Sequence, residues 1–122
     1  PSPETRARYI EVCLPLYAAR PRSHPDAGRR MIRNDELALH FSGRDGEFLK
    51  FDYREDLRRI LCPTLVMAGD RDPITPMTFS ETIVANLPEH IARFERFPGC
   101  GHGPTDDDPI RAFAVIRDFI RS

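Results

Sequence analysis

The sequence predicts an α/β fold in which parallel strands with flanking helices follow a helical N-terminal stretch. Three observations predict it. Thr64 to Ala68 is an apolar run without polar alternation, the pattern of a parallel strand covered on both faces. A turn-rich loop, GDRDP at Gly69 to Pro73, leads into a helical pattern, and a second strand candidate at Ile91 to Phe97 lies one crossover further on. The chain then closes on an amphipathic helix whose stripe would be Ile110, Phe113, Ile116 and Ile120.

Taken in order, residues 1–50 form a helical, irregular region and residues 51–122 carry the βα rhythm. Ser2 is placed to cap a first helix with Pro3 in its first turn, and Tyr9, Ile10, Cys13, Leu14 and Tyr17 follow helical spacing. Pro15 should kink or split that helix. Arg20 to Asp26 is rich in proline and is expected to be a connector, with further helices at Ala27 to Arg33 and Asp35 to Phe41 and a turn at Ser42 to Gly46. Asp52 is expected to cap a short helix from Tyr53 to Ile60, which Pro63 prevents from continuing. After the first strand, Thr75 is expected to cap a helix beginning at Pro76, with Phe79, Ile83, Val84 and Leu87 on one side and Pro88 past its end. Arg93, Glu95 and Arg96 mark the second strand as an edge guarded by charge. Asp106, Asp107 and Asp108 precede Pro109, and Arg117 and Arg121 end the last helix, each sign matching the helix dipole.

Composition narrows the function classes. In 122 residues, 18 basic side chains are dispersed among 19 acidic ones for a net charge of −1, which offers no electrostatic footprint for nucleic acid or an anionic membrane. The apolar runs fall far short of the roughly 18 residues a membrane helix needs, and no signal-peptide pattern opens the chain. Cys13, Cys62 and Cys100 are odd in number and widely spaced, which fits neither a disulfide framework nor a zinc knuckle and favours a reducing, cytoplasmic setting. No cofactor motif is present. A sheet of two parallel strands is marginal in water, so a further segment on the order of 150 residues, or a second chain carrying it, is expected to complete the sheet.

The chemistry-bearing residues fall at the carboxyl ends of the two strands, where ligand crevices of open α/β sheets lie. They are an acid in Gly69-DRDP and the histidine of PGCGHG, His102. A carboxylate that orients an imidazole is two-thirds of an acid–histidine–nucleophile triad. A separation of 30 residues between Asp72 and His102 is about one strand-to-strand crossover, so both side chains can emerge on the same edge of the sheet. Asp70 or Asp72 could reach; Asp70 is expected in the tight turn, bonded to its own backbone, with Asp72 projecting further round. The third member is absent, because no G-x-S-x-G elbow occurs in the sequence. Cys100 stands too close to His102 on one loop for a nucleophile's attack geometry. Cys100, His102 and the three aspartates could be grouped as metal ligands, but charges at a helix terminus explain the aspartates better, and no metal site is expected.

These residues resemble the α/β-hydrolase fold family, and within it the proline iminopeptidase-like group. The resemblance runs from about Asp52 to Ile120 through CPTLVMAGDRDPITP, NLPEH, FERFPG, GHG and the closing amphipathic helix. It implies the C-terminal part of such a hydrolase core, with Ser2 to Lys50 as part of a helical cap. The family's acid stands fourth in the G-x-x-D turn, which implies Asp72, and its base follows the last strand, which implies His102. The implied chemistry is acyl transfer to a serine in hydrolysis of a small amide or ester, with release of N-terminal proline as one form of it. Early strands, nucleophile elbow and oxyanion loop have no counterpart here, so the chain alone is expected to be inactive. A non-catalytic fragment or binding subunit is the alternative.

Overall fold

The computed structural model describes residues 2–20, 32, 34–42 and 45–122. Its chain divides into two compact units, one made of Pro1–Pro15 with Arg22–Asp52 and the other of Leu16–Pro21 with Tyr53–Ser122. The proline-rich connector beyond Arg20 and the helix expected at Ala27 to Arg33 lie outside the described residues apart from Ile32, as do two residues of the turn at Ser42 to Gly46.

In the first unit, helix α1 (Pro3–Val12) starts where Ser2 Oγ accepts the Thr5 N–H at 3.3 Å. It gives way before Pro15, which has no N–H to continue the ladder, to a 3-10 turn at Leu14–Tyr17. Helix α2 (Asp35–Ser42) is capped by Asn34, whose side-chain oxygen accepts the Leu37 N–H at 2.8 Å. A 3-10 turn at Glu47–Leu49 then brings Phe48 and Phe51 against Phe41, with ring centroids 5.4 and 6.1 Å away. The rings meet at tilts of 50° and 55° and form an aromatic cluster.

The second unit is built on strands β1 (Thr64–Gly69) and β2 (Ala92–Phe97), which pair in parallel from Thr64 opposite Ala92 to Gly69 opposite Phe97. Helix α3 (Met77–Asn86) forms the crossover, and after β2 come a single turn, α4 (Pro104–Asp107), and the closing helix α5 (Pro109–Arg121). Side chains alternate between the faces of a strand, and the charges of β2 sort accordingly. Arg93 donates to Asp118 of α5 at 2.7 Å, whereas Arg96 donates to Glu81 of α3 at 2.8 Å. The two helices therefore flank opposite faces. Phe97 is fully buried and meets Cys100 and Ala112, with Met67 and Val115 packed around them. The Arg111 guanidinium closes this core 4.4 Å above the Phe97 ring.

Four local expectations fail for identifiable reasons. The helix expected from Tyr53 to Ile60 is a 3-10 turn at Asp56–Arg59, whose N-terminal flank is Glu55 rather than Asp52. Thr75 does not cap α3, whose N-terminal flank is Pro76; its hydroxyl is engaged elsewhere, as described below. The expected stripe of α5 is mostly outside. Ile110, Phe113 and Ile120 are exposed, and the buried face is Ala112 with half-buried Val115, Ile116 and Phe119. Phe79 and Ile83 of α3 are exposed as well, while Leu87 is buried. Both helices are apolar over a wider arc than two strands can cover, so the sheet takes one part of each and leaves the rest in water.

Candidate active site

The loops that follow β1 and β2 are fastened to each other beyond the strand ends. The Asp70 N–H donates to the Phe97 carbonyl at 3.2 Å and the Arg71 N–H to the Cys100 carbonyl at 2.9 Å. In return the Gly99 N–H donates to Asp70 Oδ1 at 2.6 Å. Asp70 thus lies in the turn, as the sequence suggests, but bonds the neighbouring loop rather than its own backbone. Two glycines make this approach possible. A Cβ on Gly69 would collide with the carbonyl oxygens of Cys100 and Gly101, and Gly99 adopts φ 75°, the left-handed region that side chains disfavour.

The structure brings Asp72 and His102 together across this join. His102 Nδ1 lies 2.9 Å from Asp72 Oδ2; the Asp72 side chain is 6% exposed and the imidazole 42%. The carboxylate is saturated with donors. Oδ1 accepts the N–H groups of Ile74 at 2.8 Å and Thr75 at 3.0 Å, while Oδ2 accepts the Thr75 hydroxyl at 2.6 Å as well as the imidazole. Those four hydrogen bonds occupy the lone-pair positions a carboxylate offers. Burial alone would raise the Asp72 pKa. The bonds from the Thr75 hydroxyl and N–H, from His102 and from the Ile74 N–H outweigh it, and the group falls from 3.8 to about 2. Asp72 is therefore a fixed anion at neutral pH. Of the two neutral tautomers, an anion facing Nδ1 favours the one with its proton on that nitrogen.

The histidine loop is anchored from its other side. The His102 N–H donates to the Tyr17 carbonyl at 2.7 Å, and the Tyr17 ring stands edge-on to the imidazole with centroids 5.4 Å apart. Asp107, 4% exposed, accepts three backbone N–H groups: Gly101 at 2.6 Å, Ala19 at 3.0 Å and Arg20 at 3.2 Å. Asp108 behaves as the sequence suggests and caps α5 by accepting the Arg111 N–H at 3.2 Å. Asp107 is a different kind of acid, the organiser of the loop that carries His102. Neither it nor Thr75 was visible as a site residue in the sequence. The three-residue spacing from Asp72 to Thr75, which lets a carboxylate take the N–H and hydroxyl of a following threonine, is the one signal that could have exposed Thr75.

Other cysteine, serine and histidine side chains stand apart from this arrangement. Cys100 is buried in the Phe97 core, and burial, with the nearby Asp107 and Asp108 charges, pushes its thiol pKa up, away from a reactive thiolate. Ser42 donates to the Ala38 carbonyl of its own helix at 2.6 Å, and Ser80 lies within α3. His40 makes an edge contact with Phe41, and His90 sits in the 3-10 turn Glu89–Ile91. Ser23 and His24 lie outside the described residues. Among the described residues no three His, Cys, Asp or Glu side chains are grouped to hold a metal ion, and no helix is long and apolar enough to cross a membrane.

Parallel strands with helices on both faces, and an acid and a histidine meeting at their carboxyl ends, define an α/β class of protein. The chain belongs to the alpha/beta hydrolase family, whose model matches residues 3–116. It is similar to a non-heme haloperoxidase of Rhodococcus erythropolis, 35% identical over 83 residues that cover 68% of this chain and 30% of the relative. A proline iminopeptidase of Lactobacillus delbrueckii subsp. bulgaricus is 30% identical over 77 residues, covering 63% of this chain and 25% of that enzyme. Among solved structures, an esterase from Exiguobacterium antarcticum superposes with a TM-score of 0.76 over 98% of this chain and 44% of its own; at 21% identity the likeness is one of fold. The chain thus spans about a quarter to a third of the two curated relatives and less than half of the esterase.

Proposed function

We propose that this chain supplies the acid and the base of a Ser-His-Asp triad in a serine hydrolase that cleaves a small amide or ester. The observation that carries the reading is the Asp72 Oδ2 to His102 Nδ1 contact at 2.9 Å, at the carboxyl ends of two parallel strands. In this scheme His102 Nε2 takes the proton of the serine as it attacks the carbonyl and returns it to the leaving group. Asp72 keeps the proton on Nδ1 and stabilises the imidazolium that forms. Release of N-terminal proline from short peptides is the narrower form of the proposal, supported by the iminopeptidase relative.

The serine and the oxyanion donors belong, in the same proposal, to further polypeptide that completes the sheet, whether a preceding core segment or a second chain. Exposed Ile110, Phe113 and Ile120 on α5 and Phe79 and Ile83 on α3 support it, as does the much greater length of the relatives. Residues 1–50 are then part of a helical cap, 51–122 the C-terminal part of the core, and the setting is cytoplasmic, in keeping with three free thiols.

The test is turnover of p-nitrophenyl esters and prolyl amides by the protein assembled with the polypeptide that carries the serine. His102→Ala should abolish turnover, and Asp72→Asn should lower kcat by about 10⁴-fold with KM little changed. Unchanged turnover in the His102 variant removes the assignment. One observation favours a second reading, a non-catalytic binding subunit: the sequence has no nucleophile elbow. Failure of a serine-reactive phosphonate to label any component of the native assembly would select it.

A further inference from the structure

We infer that Thr75 is a positioning residue for the acid–imidazole pair, its hydroxyl committing its single proton to Asp72 and so presenting only lone pairs to His102 Nδ1. The inference rests on the reading of Asp72 and His102 as acid and base. Three polar atoms form a triangle: Thr75 Oγ1 lies 2.6 Å from Asp72 Oδ2 and 3.3 Å from His102 Nδ1, and Oδ2 lies 2.9 Å from Nδ1. A hydroxyl has one proton. The short contact to a carboxylate that can only accept fixes where that proton points, because charge-assisted O–H to O⁻ bonds are shorter and stronger than neutral ones. The oxygen's remaining lone pairs are then left for Nδ1.

The consequence concerns the imidazole tautomer. With Asp72 Oδ2 at 2.9 Å and Thr75 Oγ1 at 3.3 Å, both polar neighbours of Nδ1 in this triangle are acceptors. The Nδ1–H form finds two partners, while the Nε2–H form would set a bare Nδ1 against two sets of lone pairs. Thr75 also prevents Oδ2 from turning away, since its own backbone N–H holds Oδ1 of the same carboxylate at 3.0 Å. Backbone and side chain of one residue thereby grip both oxygens of the acid. A methyl in place of the hydroxyl keeps the backbone half of this grip and loses the half that faces the imidazole.

The experiment reads this chain, isotope-labelled within the complete assembly, by NMR and does not require turnover. The ¹³C titration of the Asp72 carboxyl and the ¹⁵N shifts of His102 at pH 9 are compared in the parent, Thr75→Val, Thr75→Ala and Thr75→Ser. In the valine and alanine variants the Asp72 midpoint is expected to move up from about 2 toward 3.8, and a population with the proton on Nε2 is expected to appear. Thr75→Ser should match the parent. The backbone bonds to Oδ1 are retained in all three variants, so the loop should persist, and two hydroxyl-free variants guard against one that fails to fold. Parent-like titration and tautomer in both overturn the inference, and so does a serine variant that behaves like valine, because packing rather than the hydroxyl would then be responsible. Asp72→Asn in the same spectra separates this from the broader reading: if the His102 tautomer ignores that change, the acid–imidazole pair itself is at fault. In the complete assembly Thr75→Val should lower kcat about tenfold with KM unchanged.

Discussion

The two units of this chain are held together by different physics. Around Asp72 and His102, backbone groups and buried carboxylates link residues far apart in sequence: Asp70 to Gly99, Arg71 to Cys100, Asp107 to Ala19 and to Gly101. In the unit of α1 and α2, several links join residues close in sequence. Asn34 caps its own helix, Lys50 pairs with Glu47 three residues away, and Phe41, Phe48 and Phe51 cluster within a short stretch. Long-range polar links fix distances between particular atoms, which acid–base chemistry requires; local caps and half-exposed rings fix only a surface. The comparison teaches that the acid–histidine geometry is carried by two strand ends and their loops.

The largest effect should come from removing the buried carboxylate of the first kind of region. Asp107→Ala leaves the N–H groups of Gly101, Ala19 and Arg20 without their acceptor. A buried unsatisfied donor costs about 1–3 kcal/mol, and the Gly101 N–H, next to His102, cannot easily reach water. We expect a loss of about 3 kcal/mol, read as a lower urea midpoint, with a displaced His102 resonance. A variant as stable as the parent would mean that the histidine loop is held by its strand alone.

A second effect separates the regions by pH. The Asp72 pKa is lowered from 3.8 to about 2, so its hydrogen bonds stabilise the fold above pH 4 and that contribution disappears as pH falls through about 2. A displacement of that size corresponds to about 2 kcal/mol. Urea midpoints measured from pH 5 down to pH 2 should fall in the parent and fall less in Asp72→Asn, whose amide does not titrate. Identical profiles would show that the carboxylate gains nothing from its four donors.

Much of this was legible in the sequence, and two of the failures share a cause. The unalternating run at Thr64 to Ala68 gave β1 to within one residue, and the crossover spacing put Asp72 and His102 on one edge of the sheet. Ser2 capped its helix and Pro15 ended it, because those effects are local. Thr75 was misread because a threonine before proline satisfies the rule for a helix cap, and nothing in the residue says that a carboxylate three positions back will claim its hydroxyl first. Asp106, Asp107 and Asp108 are alike as letters, yet one is buried under three N–H groups and another caps α5. The stripe on α5 fails differently. Periodicity reports that a face is apolar, but which part of it is buried depends on how wide the sheet beneath it is.

The smallest effect tests the independence of the local region. Phe48 is 63% exposed and touches Phe41 and Phe51 with centroids 5.4 and 6.1 Å apart. Aromatic pairs of this kind contribute about 0.5–1.5 kcal/mol beyond their buried area, and an exposed ring has little area to add. Phe48→Ala should therefore cost about 1 kcal/mol. Because Phe41 and Phe51 lie in the same unit as this ring, the Asp72 titration and the His102 resonances should stay where they are. Those site signals are the decisive measurement. If they move with Phe48, the aromatic cluster is coupled to the strand ends, and the division between a region that sets atomic distances and one that only presents a surface no longer holds.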